Sequence, residues 1–198
     1  MDIAQTAPQT VILAEDEAAL YLQATTMTAW APRGRTPFVR CDPGRAKVNF
    51  YGTLNLQTGE ETVTQAEVMN SATTSSHLEA LLRSYPEYPI LLLWDSAPWH
   101  SDPAIRATLE ANPRLTILHF PPATPELNPQ EQVWKAARRA TSHNHDQRRL
   151  PDLAQRFADY LTGTTFQYSL LENWPLYTSD PADERTQEDP GGPSNIKK

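Results

Sequence analysis

Apolar residues are gathered into a few short runs, and the spacing inside each run sets the element it predicts. Residues 11–14 (VILA) read as a short strand that stops at the acidic cluster Glu15, Asp16, Glu17. A stretch dense in Pro and Gly follows, WAPRGRTP at 30–37, and has the makeup of a turn. Residues 48–56 alternate loosely and end in Gln57-Thr58-Gly59-Glu60, a hairpin signal leading into a strand over 62–66. These three runs predict a meander. Leu78, Leu81 and Leu82 then fall at helical spacing within 75–85, behind a Ser-rich start able to cap a helix. Pro89 introduces Ile90-Leu91-Leu92-Leu93-Trp94-Asp95, apolar on both faces, the pattern of a strand covered by helices on both sides. A helix over 102–111, a strand over 115–120, and helices over 129–141 and 150–161 complete the chain, and the order strand, helix, strand favours a right-handed parallel crossover. The result is an α/β domain with a mixed five-stranded sheet flanked by helices.

Length and composition narrow this picture. The 198 residues suit one domain, placed at 11–177, with a flexible N-terminus over 1–10. Residues 178–198 are charged and rich in Pro and Gly, with no apolar residue until Ile196, and are expected to be a disordered tail. The longest apolar run, 90–94, is too short to span a bilayer, and residues 1–10 carry neither Lys nor Arg nor an apolar stretch, so a cytoplasmic chain without a membrane segment is expected. The single cysteine, Cys41, has no partner for a disulfide or a zinc cluster. A net charge of -7 argues against a domain that coats nucleic acid, yet Lys135, Arg138, Arg139, Arg148 and Arg149 stand together with only Asp146 against them.

Three leading meander strands followed by two parallel strands joined by a helix is the order of ribonuclease H-like domains. In such a sheet the first and fourth strands are neighbours, so Asp16 and Asp95 arrive at the same edge. Each has a plain alternative as a turn former, and Glu131 has a better one: Asn128-Pro129-Gln130-Glu131 fits a capping box, with Asn128 as N-cap, Pro129 at N1 and Glu131 reaching back. The alternatives do not account for the combination, because two buried carboxylates repel unless a cation joins them. Hard divalent cations take oxygen ligands, and such a pair of carboxylates suits phosphoryl transfer on two metal ions.

Four blocks of the chain resemble the DDE transposase catalytic domain of the mariner superfamily, in its bacterial insertion-sequence branch: VILAEDEAAL (11–20), WAPRGRTP (30–37), ILLLWDSAPWH (90–100) and PPATPELNPQEQVWKAARR (121–139). The last is the most specific. The resemblance implies a metal-dependent enzyme that cleaves and rejoins DNA, with Asp16, Asp95 and Glu131 as catalytic acids holding two magnesium or manganese ions. Glu15 and Glu17 compete with Asp16, which is preferred because the family places an Asp-Glu pair after the first strand. Ser96 departs from the family's usual Asn after the second acid. His100 matches a family histidine that contacts phosphate or steadies the site, against a surface histidine at a helix start. Trp30, Arg33 and Gly34 match a turn implied to touch DNA, against a Trp packed under a Gly-Pro loop. Arg33, His100, Lys135, Arg138 and Arg139 are the candidate DNA contacts. Family members carry a helix-turn-helix region that reads transposon ends, and none is legible before Thr10, so that half is expected to be supplied elsewhere, with a homodimer as a further expectation. Two other readings are an idle remnant that dimerises with and regulates a transposase, and a stand-alone ribonuclease H-like nuclease.

Overall fold

A computed structural model describes residues 9–28, 30–35, 38–39, 44–121, 124 and 127–167. All belong to one compact unit, Met1–Tyr168; the expected tail and Cys41 lie outside the described residues. The strands are β1 (Val11–Tyr21), β2 (Lys47–Asn55), β3 (Glu61–Ala66), β4 (Ile90–Trp94) and β5 (Leu115–His119). They form one sheet in the order β3-β2-β1-β4-β5, antiparallel through β3, β2 and β1 and parallel through β1, β4 and β5. The helices are α1 (Ser71–Ser84), α2 (Pro103–Ala111), α3 (Gln130–Thr141) and α4 (Leu150–Gly163), with a short 3-10 turn, Pro98–Ser101, after β4. The expected ribonuclease H-like order is present.

Side-chain alternation along the strands splits the core in two. Ala18, Leu20, Phe50 and Leu54 pack with Val133, Trp134, Leu153 and Phe157, so α3 and α4 cover one face. Leu13, Leu92 and Trp94 pack with Leu78, Leu81 and Ile105, so α1 and α2 cover the other. Gly59 turns the β2–β3 hairpin at φ 75, where a side chain would be strained, and the Asn55 carboxamide accepts from the backbone N–H groups of Gln57 and Thr58. That bears out the hairpin signal.

Two local expectations are corrected. β1 does not stop at its acidic cluster but runs on to Tyr21, because from Leu13 onward it pairs with β2 in the register Leu13↔Asn55 to Tyr21↔Lys47. Ladder hydrogen bonds and the burial of Ala18 and Leu20 outweigh the weak strand preference of Glu-Asp-Glu. The cap of α1 is Asn70, not a serine: its side chain accepts from Thr73 N at 3.0 Å, and the Thr73 hydroxyl answers the Asn70 N–H at 3.1 Å. Among the described residues, no helix is long and apolar enough to cross a membrane.

Candidate active site

Register brings the two aspartates together. β1 and β4 pair from Val11↔Ile90 to Ala14↔Leu93, and the same offset carried two residues on sets Asp95 beside Asp16. Alternation puts both on the sheet face covered by α3, since Ala18 and Leu20 lie on that face while Leu92 and Trp94 lie on the other. Oxygens of Asp16, Glu17 and Asp95 all fall within 4.8 Å of one another. Asp16 is therefore a strand-interior residue and not a turn former after a strand end, and its carboxylate works in the tertiary structure rather than in a local turn.

Helix α3 is brought to this edge by its own N-terminal string. Asn128 Nδ2 donates to the Glu15 carbonyl at 3.0 Å while its Oδ1 accepts from Gln130 N at 3.0 Å, which ties the helix start to the strand next to Asp16. One turn into the helix, Trp134 Nε1 donates to Asp16 Oδ2 at 3.1 Å. Gly52, paired opposite Asp16, makes this approach possible: a Cβ there would overlap Gln130, Trp134 and Glu61. The capping-box reading is thus revised. The helix begins at Gln130 with Pro129 at the N-cap position and no side-chain cap there; Asn128, one residue earlier, accepts from Gln130 N, and among the described residues no hydrogen bond returns from the Glu131 side chain to Asn128. Glu131 lies in the first turn of α3, outside the 4.8 Å cluster, with its charge bearing on Asp16.

The electrostatics follow from this crowding. Burial first, then the charge of Glu131, with smaller contributions from Glu17 and Asp95, raise the Asp16 carboxyl from 3.8 to about 7. Glu15 points to the opposite face, where it is fully buried and neither oxygen finds a hydrogen bond. Burial and the charges of Glu17 and Asp16 push it well above the usual carboxylate range, with the Trp94 indole the one group favouring its charge. Asp95 goes the other way. Its hydrogen bond with His100 is the main cause, and the Ala97 N–H at 3.0 Å assists.

His100 is not a surface histidine. It is 7% exposed, stacked on Trp94 with ring centroids 3.7 Å apart, and it sits 3.1 Å from Asp95 Oδ1 and 3.3 Å from Glu17 Oε1. Burial works against its charge, but Asp95 and Glu17 reverse this and hold it up at about 9. Trp99 Nε1 also donates to Glu17 Oε1, at 3.1 Å. Glu17 is thereby committed to His100 and Trp99 as well as to the acidic cluster, which the linear spacing of 15–17 did not reveal. Gln130, Glu61 and Gly52 were also missed. Their only sequence signal, a Gln preceding Glu131, has no meaning until β2 and α3 are superposed.

Lys135, Arg138 and Arg139 lie four, seven and eight residues after Glu131, so all share its side of α3. Lys135 and Arg139 are exposed, Arg138 is half-buried, and among the described residues none of the three pairs with an acid. Arg33 is exposed in a turn where Gly34 has φ 84 and Arg35 N bonds to Pro32 O. Trp30, at 105% exposure, is in solvent rather than packed under that turn.

The DDE superfamily endonuclease family matches residues 11–154, most of the chain. The protein belongs to this family. It is 26% identical over 132 residues to an insertion element IS630 uncharacterized 39 kDa protein from Shigella sonnei, covering 66% of this chain and 38% of that one. A 64-residue stretch is 36% identical to an uncharacterized protein, y4pE/y4sA, from Sinorhizobium fredii, covering 31% of this chain and 44% of that protein. The fold is similar to the Mos1 transposase paired-end complex with left transposon end, with TM-score 0.61 and 18% identity over 83% of this chain and 52% of that one. It is also similar to the Mos1 catalytic domain solved with Raltegravir and Mg, with TM-score 0.57 and 16% identity over 79% and 73%. The family match makes the chain a DDE superfamily endonuclease by family, and the likeness to Mos1 shows a shared fold. The chain spans about half or less of the length of the first of these relatives.

Proposed function

We propose that this chain is the catalytic part of a DNA transposase that cleaves DNA at transposon ends and joins the freed strand to a target, using Asp16, Asp95 and Glu131 to hold two magnesium or manganese ions. One observation carries the reading: the convergence of Asp16, Glu17 and Asp95 oxygens within 4.8 Å, with Glu131 adding a further negative charge on Asp16. Such a set repels itself and is relieved by a hard cation with oxygen ligands. Bound there, the ions would supply an activated attacking oxygen and stabilise the leaving one. The protein's own contribution is placement. Asn128 and Trp134 hold α3 to β1, and His100 and Trp99 fix Glu17 beside Asp95. Lys135, Arg138 and Arg139 offer positive charge to the phosphate backbone along the same helix. Arg33 is a further backbone contact. Sequence-specific reading of the ends is assigned to a helix-turn-helix segment outside these residues, and synapsis of two ends to a homodimer.

The test is strand nicking at a transposon end, with the helix-turn-helix half supplied, for wild type and for Asp16→Asn, Asp95→Asn and Glu131→Gln. Each variant is expected to lose roughly a hundredfold or more of activity, the equivalent of about 3 kcal/mol of charge stabilisation. Metal-free melting of Asp16→Asn should hold or rise, since a repelled carboxylate is removed. Full activity in a folded variant strikes that residue from the site; full activity in all three sinks the mechanism.

A further inference from the structure

Behind the proposed site, on the same face of the sheet, lies a second buried carboxyl group that the phosphoryl-transfer reading does not use. Glu61 opens β3 and is buried against α3, where Gln130 Nε2 donates to its Oε1 at 2.5 Å. The other two polar atoms of this contact, Glu61 Oε2 and Gln130 Oε1, are buried and have no hydrogen-bond partner. Both are acceptors if Glu61 is ionised, so an ionised Glu61 would be a buried charge with one hydrogen bond and two orphaned oxygens, an arrangement proteins avoid. A single proton on Glu61 Oε2 changes this. It gives the carboxyl an O–H to donate to Gln130 Oε1, closing a ring of two hydrogen bonds between acid and amide and leaving no orphan. Rotating the amide by half a turn does not remove the requirement, because its oxygen would then face the carboxyl at the other position.

We propose that Glu61 is held as a neutral carboxylic acid in a cyclic acid–amide pair with Gln130, and that this pair is a positioning device which seats α3, and with it Glu131, against β1. The second clause rests on the reading of Glu131 as a metal ligand. Gly52 is part of the same seat: from β2 only a hydrogen atom separates the pair from Trp134, and a Cβ would overlap Gln130, Glu61 and Trp134 at once. Burial raises Glu61 well above its ordinary range and the Gln130 hydrogen bond opposes it; no charged group from β2, α3 or α4 shifts it. Gln130 directly precedes Glu131 in the first turn, so any movement of the pair is passed to Glu131 through one peptide unit. Polar groups that orient metal ligands in this way commonly change metal affinity 10- to 100-fold when removed.

The full chain can be tested without DNA. The infrared difference between wild type and Glu61→Gln at pH 7 should show a protonated-carboxyl carbonyl band present only in the wild type; its absence overturns the neutral pair. Glu61→Gln replaces acid–amide by amide–amide pairing with the same two hydrogen bonds, so it should keep wild-type manganese affinity. Glu61→Ala and Gln130→Ala should each weaken manganese binding by about tenfold or more while still folding. Glu61→Met keeps the packing volume but offers no matching hydrogen bonds, so weakened manganese binding in it, beside wild-type affinity in Glu61→Gln, is the signature of positioning, and wild-type affinity in Glu61→Met overturns that role. Unchanged affinity in both alanine variants overturns the positioning role. If wild type binds no manganese at all, the metal reading and the positioning role fall together, while the infrared band still decides the neutral pair.

Discussion

His77 shows how much a single buried side chain is asked to do. It lies in α1 with no exposure, bridging Thr53 at 2.7 Å and Thr64 at 2.8 Å, so the helix is pinned to β2 and β3 through one imidazole. Burial lowers it from 6.5 to about 4. The folded state therefore resists a proton that the unfolded chain takes up below about 6.5. Stability from this group is fully present above pH 6.5 and is lost as pH falls toward 4, by about 3 kcal/mol at most. His77→Gln, which hydrogen-bonds but does not charge, should have a flatter stability curve over that window in urea titrations. Parallel curves for the two proteins would show that His77 does not drive the acid response. The raised carboxyls of Glu15, Asp16 and Glu61 act with the opposite sign, since their protonated forms suit the fold, which is why the comparison must be made against the variant.

Among the elements, α3 decides whether the acids can form the proposed site. Its inner face, Val133, Trp134 and Ala137, is buried against β1 and β2, and its outer face carries Lys135 and Arg139. The string Leu-Asn-Pro-Gln-Glu was legible as a helix start, and the helix over 130–141 came within a residue of its expected bounds. The purpose of Asn128 was not legible, because its partner is the carbonyl of Glu15, 113 residues away. The closeness of α3 to the sheet depends on Gly52. Gly52→Ala should force helix and strand apart, costing roughly 1–3 kcal/mol from overpacking and most of the nicking activity as Trp134 and Glu131 draw back from Asp16. Denaturant melts paired with nicking assays check this, and a variant with wild-type stability and activity would mean that the seat tolerates a methyl group.

At the level of the whole molecule, charge is unevenly placed: -7 in total, yet Lys135, Arg138 and Arg139 line one helix beside the acidic cluster. Phosphate contacts from these residues would hold DNA without reading it. The chain alone is therefore expected to bind duplex DNA weakly, without sequence preference, and with affinity that falls steeply as salt rises. A mobility-shift titration across salt concentrations measures this; tight binding to one sequence at physiological salt would reveal a reading element within these residues.

Alternation and helical spacing were enough to determine the kind and order of the described strands and α-helices, because each depends on neighbours within a few residues; the 3-10 turn Pro98–Ser101 was not legible. The blocks around Asp16, Asp95 and Glu131 likewise marked which acids to watch. What the linear pattern could not decide was everything set by register and by contacts between distant segments. β1 ran through its acids because β2 pairs with it from Leu13 onward, and Glu15, Asp16 and Glu17 were divided between two faces by the pleat. The buried His100 is favoured in its charged form because Glu17, 83 residues away, and Asp95 both reach it. Glu61 met Gln130 across 69 residues. Burial and charge proximity are properties of the packed sheet and helices, so the protonation of these groups belongs to the tertiary structure alone.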